Sequence, residues 1–229
     1  GFLVPLGSAL DNPFLLEQGM ENKTEVKVGL YVLNLGKFDI STGSFTVDFY
    51  LSLKCSPSCN SSHFEFFNGR ASSLEKIIDL EDEKFYRIQA QLNSLVNLKN
   101  FPFDEQTMEI IIEDKLATLE EIVYVPDFGS SGIDESVVFT GWNIDGWDID
   151  VEEHYYKPYE ETYSQYLFKI NISRIKFNSF LKTFLPVFFI MLVTIFSYII
   201  DPDKITNRLG IAGSSLVASV MFHVAITNQ

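Results

Sequence analysis

Few residues in this 229-residue chain have the types and spacing that chemistry needs. Cys55 and Cys59 share the turn-rich stretch KCSPSCNSS. Two thiols cannot make a four-ligand zinc site, and His63 nearby is isolated, so a local disulfide formed in an oxidising compartment is expected. His154 and His223 also read as isolated; His223, within an apolar run, could sense pH, but packing within its helix is the expected role. A Gly-rich phosphate loop, a nucleophile elbow and a metal-ligand His pair are all missing from the sequence, so no enzyme activity and no cofactor are expected. The sequons at Asn22, Asn60 and Asn171 matter only in a glycosylating host.

The stretch NFPFDEQTM, residues 100–108, is the most unusual. Pro102 fixes φ and removes a donor between Phe101 and Phe103, which presents two aromatic rings rigidly, suited to lipid headgroups or to helix ends. Asp104 beside such low-dielectric material needs a cation, and Arg174 is its expected partner.

The elements that would position these residues are of two kinds. Up to about residue 176 the chain alternates in short β-rich runs, EVKVGLYVLNLGKFDI, SFTVDFYLSLKC, HFEFF, KFYRIQAQLNSLV, QTMEIIIED, EEIVYV, SVVFTGWNIDGWDIDVEEHYY and YSQYLFKINISRI, separated by Gly, Pro, Asp and Ser. These predict an all-β sandwich of about nine or ten strands. Thr183 to Ile200 carries no charge, and its length nearly matches a bilayer core of about 30 Å, with Lys182 placed to snorkel at its start. The similarly uncharged run Leu209–Ile226 is diluted with Gly, Ser and His, as a helix facing protein or water on one side would be. A sandwich over residues 1–176 is therefore expected to lead into helices at about 179–200 and 204–227, with little slack between them. The chain does not begin with Met, which suggests a removed leader or upstream segment. Of 31 acidic side chains, 29 precede Thr183, against 15 of the 17 basic ones, an imbalance that disfavours nucleic acid as a partner.

SLVNLKNFPFDEQTM resembles the signature loop of the pentameric ligand-gated ion channels, the Cys-loop receptor superfamily. Ser94 and Met108 stand where animal members place the two bracketing cysteines, a departure that looks like the prokaryotic members. The likeness continues in order through VKVGLYVLNLGKFDISTGSFTVDFYLSL, FEFFNGR, VVFTGWNID, YLFKINISR, FLPVFF and NRLGIAGSSLVASVMFH. It implies an immunoglobulin-like extracellular or periplasmic domain, followed by two of the family's four membrane helices, in a multi-pass subunit of a homopentamer at the cell membrane. It also implies a coupling cluster in which Asp39, in the first hairpin's turn, joins Asp104 and Arg174.

The resemblance makes the second apolar run a pore helix. At 100° per residue, Thr206, Gly210, Ser214, Val217, Met221 and Val224 stay within about 80° of one another. Five copies would turn each position into a ring, with Ser214 replacing ion hydration and Val217 and Met221 gating by dewetting. Thr206 and Asn207 hold the places of the family's acidic cation-selecting ring, and RLG at 208–210 partly resembles anion channels. The acidic first part favours cations.

The same resemblance places an agonist pocket between neighbouring sandwiches, capped by the hairpin HYYKPYEETYSQY. Tyr155, Tyr159, Glu160 and Tyr163, with Phe66 and Phe67, become candidate contacts, since aromatic faces can embrace a cationic amine. Glu152, Glu153 and Glu161 are candidates for binding calcium or reporting protons, so a small molecule, a proton or a divalent cation is the expected ligand. The competing expectation is a membrane-anchored binding or adhesion domain whose helices only tether it.

Overall fold

The computed structural model describes residues 23–59, 63–201 and 203–227. Asn22 and Asn60 therefore lie outside the described residues, and so does the side chain of Lys182. Ten strands run through the described residues: β1 Thr24–Leu35, β2 Ser44–Ser56, β3 Phe64–Phe66, β4 Gly69–Asp79, β5 Glu83–Asn93, β6 Glu105–Asp114, β7 Ile122–Pro126, β8 Gly132–Ile133, β9 Trp142–Tyr156 and β10 Glu161–Arg174. One sheet has the order β4-β5-β2-β1-β7, with β8 also pairing β1, and the other has the order β3-β6-β10-β9.

Alternation explains how the two sheets close on each other. Val26, Val28, Leu30 and Val32 point inward from β1, and Phe49, Leu51 and Leu53 do so from β2. Met108, Ile110 and Ile112 on β6, with Tyr166, Phe168, Ile170 and Ile172 on β10, form the facing layer. All of these are fully buried, so a register slip of one residue in any of these strands would expose its core set.

β4 departs from the sequence reading. GRASSLEKIID lacks alternation and does not predict a strand, yet it pairs with β5 along one edge. It is exposed on both faces, so no core imposes a period of two on it. The run SVVFT is likewise not strand. Gly141, at φ 90, makes a turn that only a residue without a side chain enters easily, and β9 begins after it at Trp142.

Helix α1, Lys176–Ser197, follows β10 after Ile175 alone. It stops three residues short of Ile200 because Tyr198 and Ile199 donate to the carbonyls of Ile195 and Phe196, tightening the last turn. Its apolar part, Thr183–Ser197, is therefore shorter than the uncharged run. Helix α2 spans Ile205–Thr227, and its segment Ile205–Ala225, 21 residues, is long and apolar enough to cross a membrane by length and composition. Arg208 of α2 donates from Nε to the Ser197 carbonyl at 3.1 Å, fastening the second helix to the end of the first.

Candidate functional site

The turn at residues 100–104 sits where the sandwich meets α1. Pro102 is buried while Phe101 and Phe103 are partly exposed on either side of it, and the Phe101–Pro102 peptide is cis. Asp104 is 1% exposed. Arg174 donates from Nε to its Oδ1 at 2.6 Å, and the Arg174 backbone N–H donates to the Asp104 carbonyl at 3.3 Å. The guanidinium lies over the rings of Phe101 and Trp142, 5.2 and 4.6 Å from their centres. A charge that costs several kcal/mol to bury is thus paired and packed on both sides.

Gln106 supplies the second half of this arrangement. Its Nε2 donates to Asp104 Oδ2 and to the Asn97 carbonyl, each at 2.7 Å, and its Oε1 accepts the Asn97 N–H at 2.9 Å. Ser94 Oγ accepts from the Glu109 N–H at 2.8 Å, and Met108 is in the core. Where a bracketing disulfide would close the loop, one side-chain amide and one hydroxyl close it instead.

Asp39 does not join this pair. Its Oδ1 accepts from the Ser41 N–H at 2.9 Å and from the Ser41 hydroxyl at 2.7 Å, and these bonds hold its carboxyl below the usual carboxylate range. The first hairpin reaches the junction through Phe38, a buried neighbour that meets Trp142 edge to face at 5.8 Å. An acidic turn followed by Ser satisfies itself locally, which the spacing of acids alone does not reveal.

On α2, Thr206, Gly210, Ser214, Val217, Met221 and Val224 are all exposed. The side facing α1 carries Arg208, Ile211, Ser215 and Phe222, and at 100° per residue the two stripes are centred about 140° apart. Ser214 donates to the Gly210 carbonyl at 2.9 Å, back-bonding to its own helix.

The tyrosine-rich hairpin is arranged differently from its sequence reading. Phe66 is 9% exposed and packs against Phe49 and Phe64 in the core, so little of its ring is open to a ligand. Phe67, Tyr155, Tyr159 and Glu160 are exposed, with Glu160 at φ 56 in the turn, and Tyr163 is half-buried, donating to Glu161 at 2.8 Å. A groove of about 600 Å³ beside β3 and β4 is bordered by Phe66, Phe67 and Arg70 but not by the hairpin tyrosines. Glu152 lies 3.9 Å from Lys169, and among the described residues no group of three His, Cys, Asp or Glu side chains gathers as a metal site. Glu152, Glu153 and Glu161 are therefore not brought together as a calcium site.

His154 is not isolated. Its Nδ1 lies 3.0 Å from Glu113 Oε2, its ring meets Tyr156 at 4.3 Å and Phe67 at 5.0 Å, and Tyr156 donates to Glu113 Oε1 at 2.8 Å. Burial, then the Glu113 carboxylate, push the Tyr156 phenol well above its ordinary value. Glu113, His154, Tyr156 and Gln165 were all missed as a group. The available signal was parity: on β9 a period of two sets His154 and Tyr156 on one face and Tyr155 on the other.

Cys55 and Cys59 are joined by a disulfide with their Cα atoms 5.1 Å apart, and both are buried. Asn171 accepts from the Thr107 hydroxyl at 2.9 Å on the exposed face of β10.

A comparison with models of protein families finds no match. The chain is 24% identical over 140 residues to a protein of Gloeobacter violaceus described as a proton-gated ion channel, an alignment covering 61% of this chain. It spans 38% of that protein's length. The similarity is distant and relates the chain to an ion channel.

Proposed function

We propose that the chain is a subunit of a homopentameric ligand-gated ion channel, in which events in the sandwich open a pore lined by α2. One observation carries this reading: the buried Asp104–Arg174 pair closes over the single residue that separates β10 from α1. A pair held this tightly makes the end of the sandwich and the start of the helix one mechanical piece, so a movement of β10 has little slack to dissipate it.

The stripe on α2 supports the pore. It begins small and polar at Thr206, Gly210 and Ser214, continues apolar at Val217, Met221 and Val224, and lies away from α1. In a ring of five it would line the axis, with hydroxyls at one level and an apolar constriction at another. The acidic sandwich would concentrate cations at its mouth, so cation conduction is the expected selectivity. With the sandwich outside the cell membrane, protons are the first agonist to test, because the channel of Gloeobacter violaceus is described as proton-gated.

Current from the purified protein in planar bilayers, with ion substitution and steps in pH and calcium, tests the proposal. Cation-selective current that appears on acidification supports it. A tight, silent bilayer under every condition would overturn it in favour of a tethered binding domain.

A further inference from the structure

Glu113 faces outward from β6, opposite Gln165 on β10, with the core residue Ile112 preceding it on the other face. An outward carboxylate is ordinarily solvated, yet this side chain is only 4% exposed. His154 and Tyr156 cover it, and Gln165 donates from Nε2 to Oε2 at 2.6 Å. His154, 30% exposed, and Tyr156 are the members of the group that solvent reaches, while Glu113 and Gln165 are buried.

Three atoms meet at one point. Gln165 Nε2 is 2.6 Å from Glu113 Oε2 and 2.9 Å from His154 Nδ1, and Nδ1 is 3.0 Å from the same Oε2. With Glu113 as a carboxylate, the proton inventory allows two patterns. With a lone pair on Nδ1, Gln165 donates to both acceptors, and Nδ1 and Oε2 face each other with no proton between them. With a proton on Nδ1, that proton is donated to Oε2 as a charge-assisted bond once the ring is an imidazolium, and the Gln165 N–H aimed at Nδ1 must turn away. The other charged groups around this face are Glu152, opposite Gln165 in register and 3.9 Å from Lys169, and Glu65, Asp114 and Glu161, which act on Tyr156 and Tyr163.

We propose that this cluster is a proton-binding site: His154 takes a proton from solvent and shifts the grip of β9 from Gln165 on β10 to Glu113 on β6, two strands away. Its regulatory role rests on the channel reading above. β6 and β10, which carry the site at one end, carry the junction at the other, since Gln165 pairs with Glu113 and Ser173 pairs with Glu105, next to Arg174 and Asp104. The eight residue steps from one pair to the other span about 27 Å of continuous ladder. A change in how the sheet is clasped at one end is thereby applied to the two strands that hold Arg174 and Asp104.

Nitrogen-15 NMR of histidine-labelled full chain in nanodiscs tests the site, with His154→Gln assigning the signal among the three histidines. As pH falls from about 8 to about 5, Nδ1 of His154 should change from acceptor to donor. Glu113→Gln should move this transition to lower pH by removing the anion, and Gln165→Met should move it to higher pH by removing the donor that favours the lone pair. Tyr156→Phe, which also leaves the carboxylate less satisfied, should move it to higher pH and serves if Gln165→Met does not fold. Shifts of opposite sign support the site, whereas no shift, or the same sign for both kinds of variant, overturns it. Bilayer currents separate the two readings. If the NMR shifts occur and the current's pH dependence follows them, the regulatory role stands; if current flows with unaltered pH dependence, that role is overturned. Silence in the bilayer with the NMR shifts present overturns the channel reading and leaves the proton site standing.

Discussion

The guanidinium of Arg174 lies over Trp142, the first residue of the strand next to its own, 4.6 Å from the ring centre, while its Nε holds Asp104. The cation that neutralises the buried acid is therefore also gripped by the neighbouring strand. Asp104→Asn should cost about 3 kcal/mol, because it leaves Arg174 enclosed without its anion. Arg174→Lys should cost less, about 1 to 2 kcal/mol, since the charge survives and the aromatic contact weakens. Denaturant unfolding followed by Trp fluorescence measures both, and no measurable cost for Arg174→Lys would show that the ring contact contributes nothing. Charge reversal at Asp104 should abolish gating in the current assay, and intact gating would remove the junction from the mechanism.

Gln106→Leu deletes three hydrogen bonds at once and strands the Asn97 backbone and one Asp104 oxygen. A loss of about 2 to 3 kcal/mol is expected, with hydrogen exchange at Asn97 rising toward that of an open loop. Unchanged protection at Asn97 would mean that core packing alone closes the loop.

At alkaline pH the tyrosines of the hairpin should weaken the fold. The Tyr156 phenol is raised by burial and by Glu113, and that of Tyr163 is raised to about 12 by its bond to Glu161 and by burial. A folded-state value raised above the unfolded one contributes stability that is whole below about pH 10 and lost as pH climbs through the folded value. Stability should therefore fall from about pH 10 upward, and Tyr156→Phe should remove part of that fall. A titration of phenolate absorbance alongside unfolding checks this, and an identical alkaline limb in the variant would count against the Glu113 bond.

Cysteines placed one at a time on α2 report which side faces the conduction path. The native pair Cys55–Cys59 is already bonded and does not compete for reagent. Val217→Cys should be modified by a charged thiol reagent with block of the current, and Ile211→Cys, on the side toward α1, should react slowly and without block. Block from Ile211→Cys and none from Val217→Cys would rotate the proposed pore face away from the stripe.

Where burial imposes a period, the sequence is readable. β1, β2, β6 and β10 alternate because one face of each fills the core, and the β-sandwich followed by helices is what that pattern predicts. β4 is illegible for the same reason in reverse, since an edge strand exposed on both faces has no pattern to show. Asp104 and Arg174 could be matched because a buried acid has few ways to be satisfied. Asp39 has a serine two residues on, and that local alternative won. Glu113 and His154 stand 41 residues apart on strands separated by a third, so only the sheet order brings them together. Phe66 and Phe67 are one residue apart and opposite in fate, which composition cannot show and strand parity can.

The closure of residues 94–108 by an amide and a hydroxyl has a redox meaning. A loop bracketed by cysteines comes apart under reductant, whereas this one holds no sulfur that could be reduced. In reducing solution the chain should lose its Cys55–Cys59 link and keep the loop 94–108 closed. Asp104 gives one oxygen to Arg174 and the other to Gln106, so the loop and the junction open or stay shut as one cooperative unit, whatever the potential of the compartment around them.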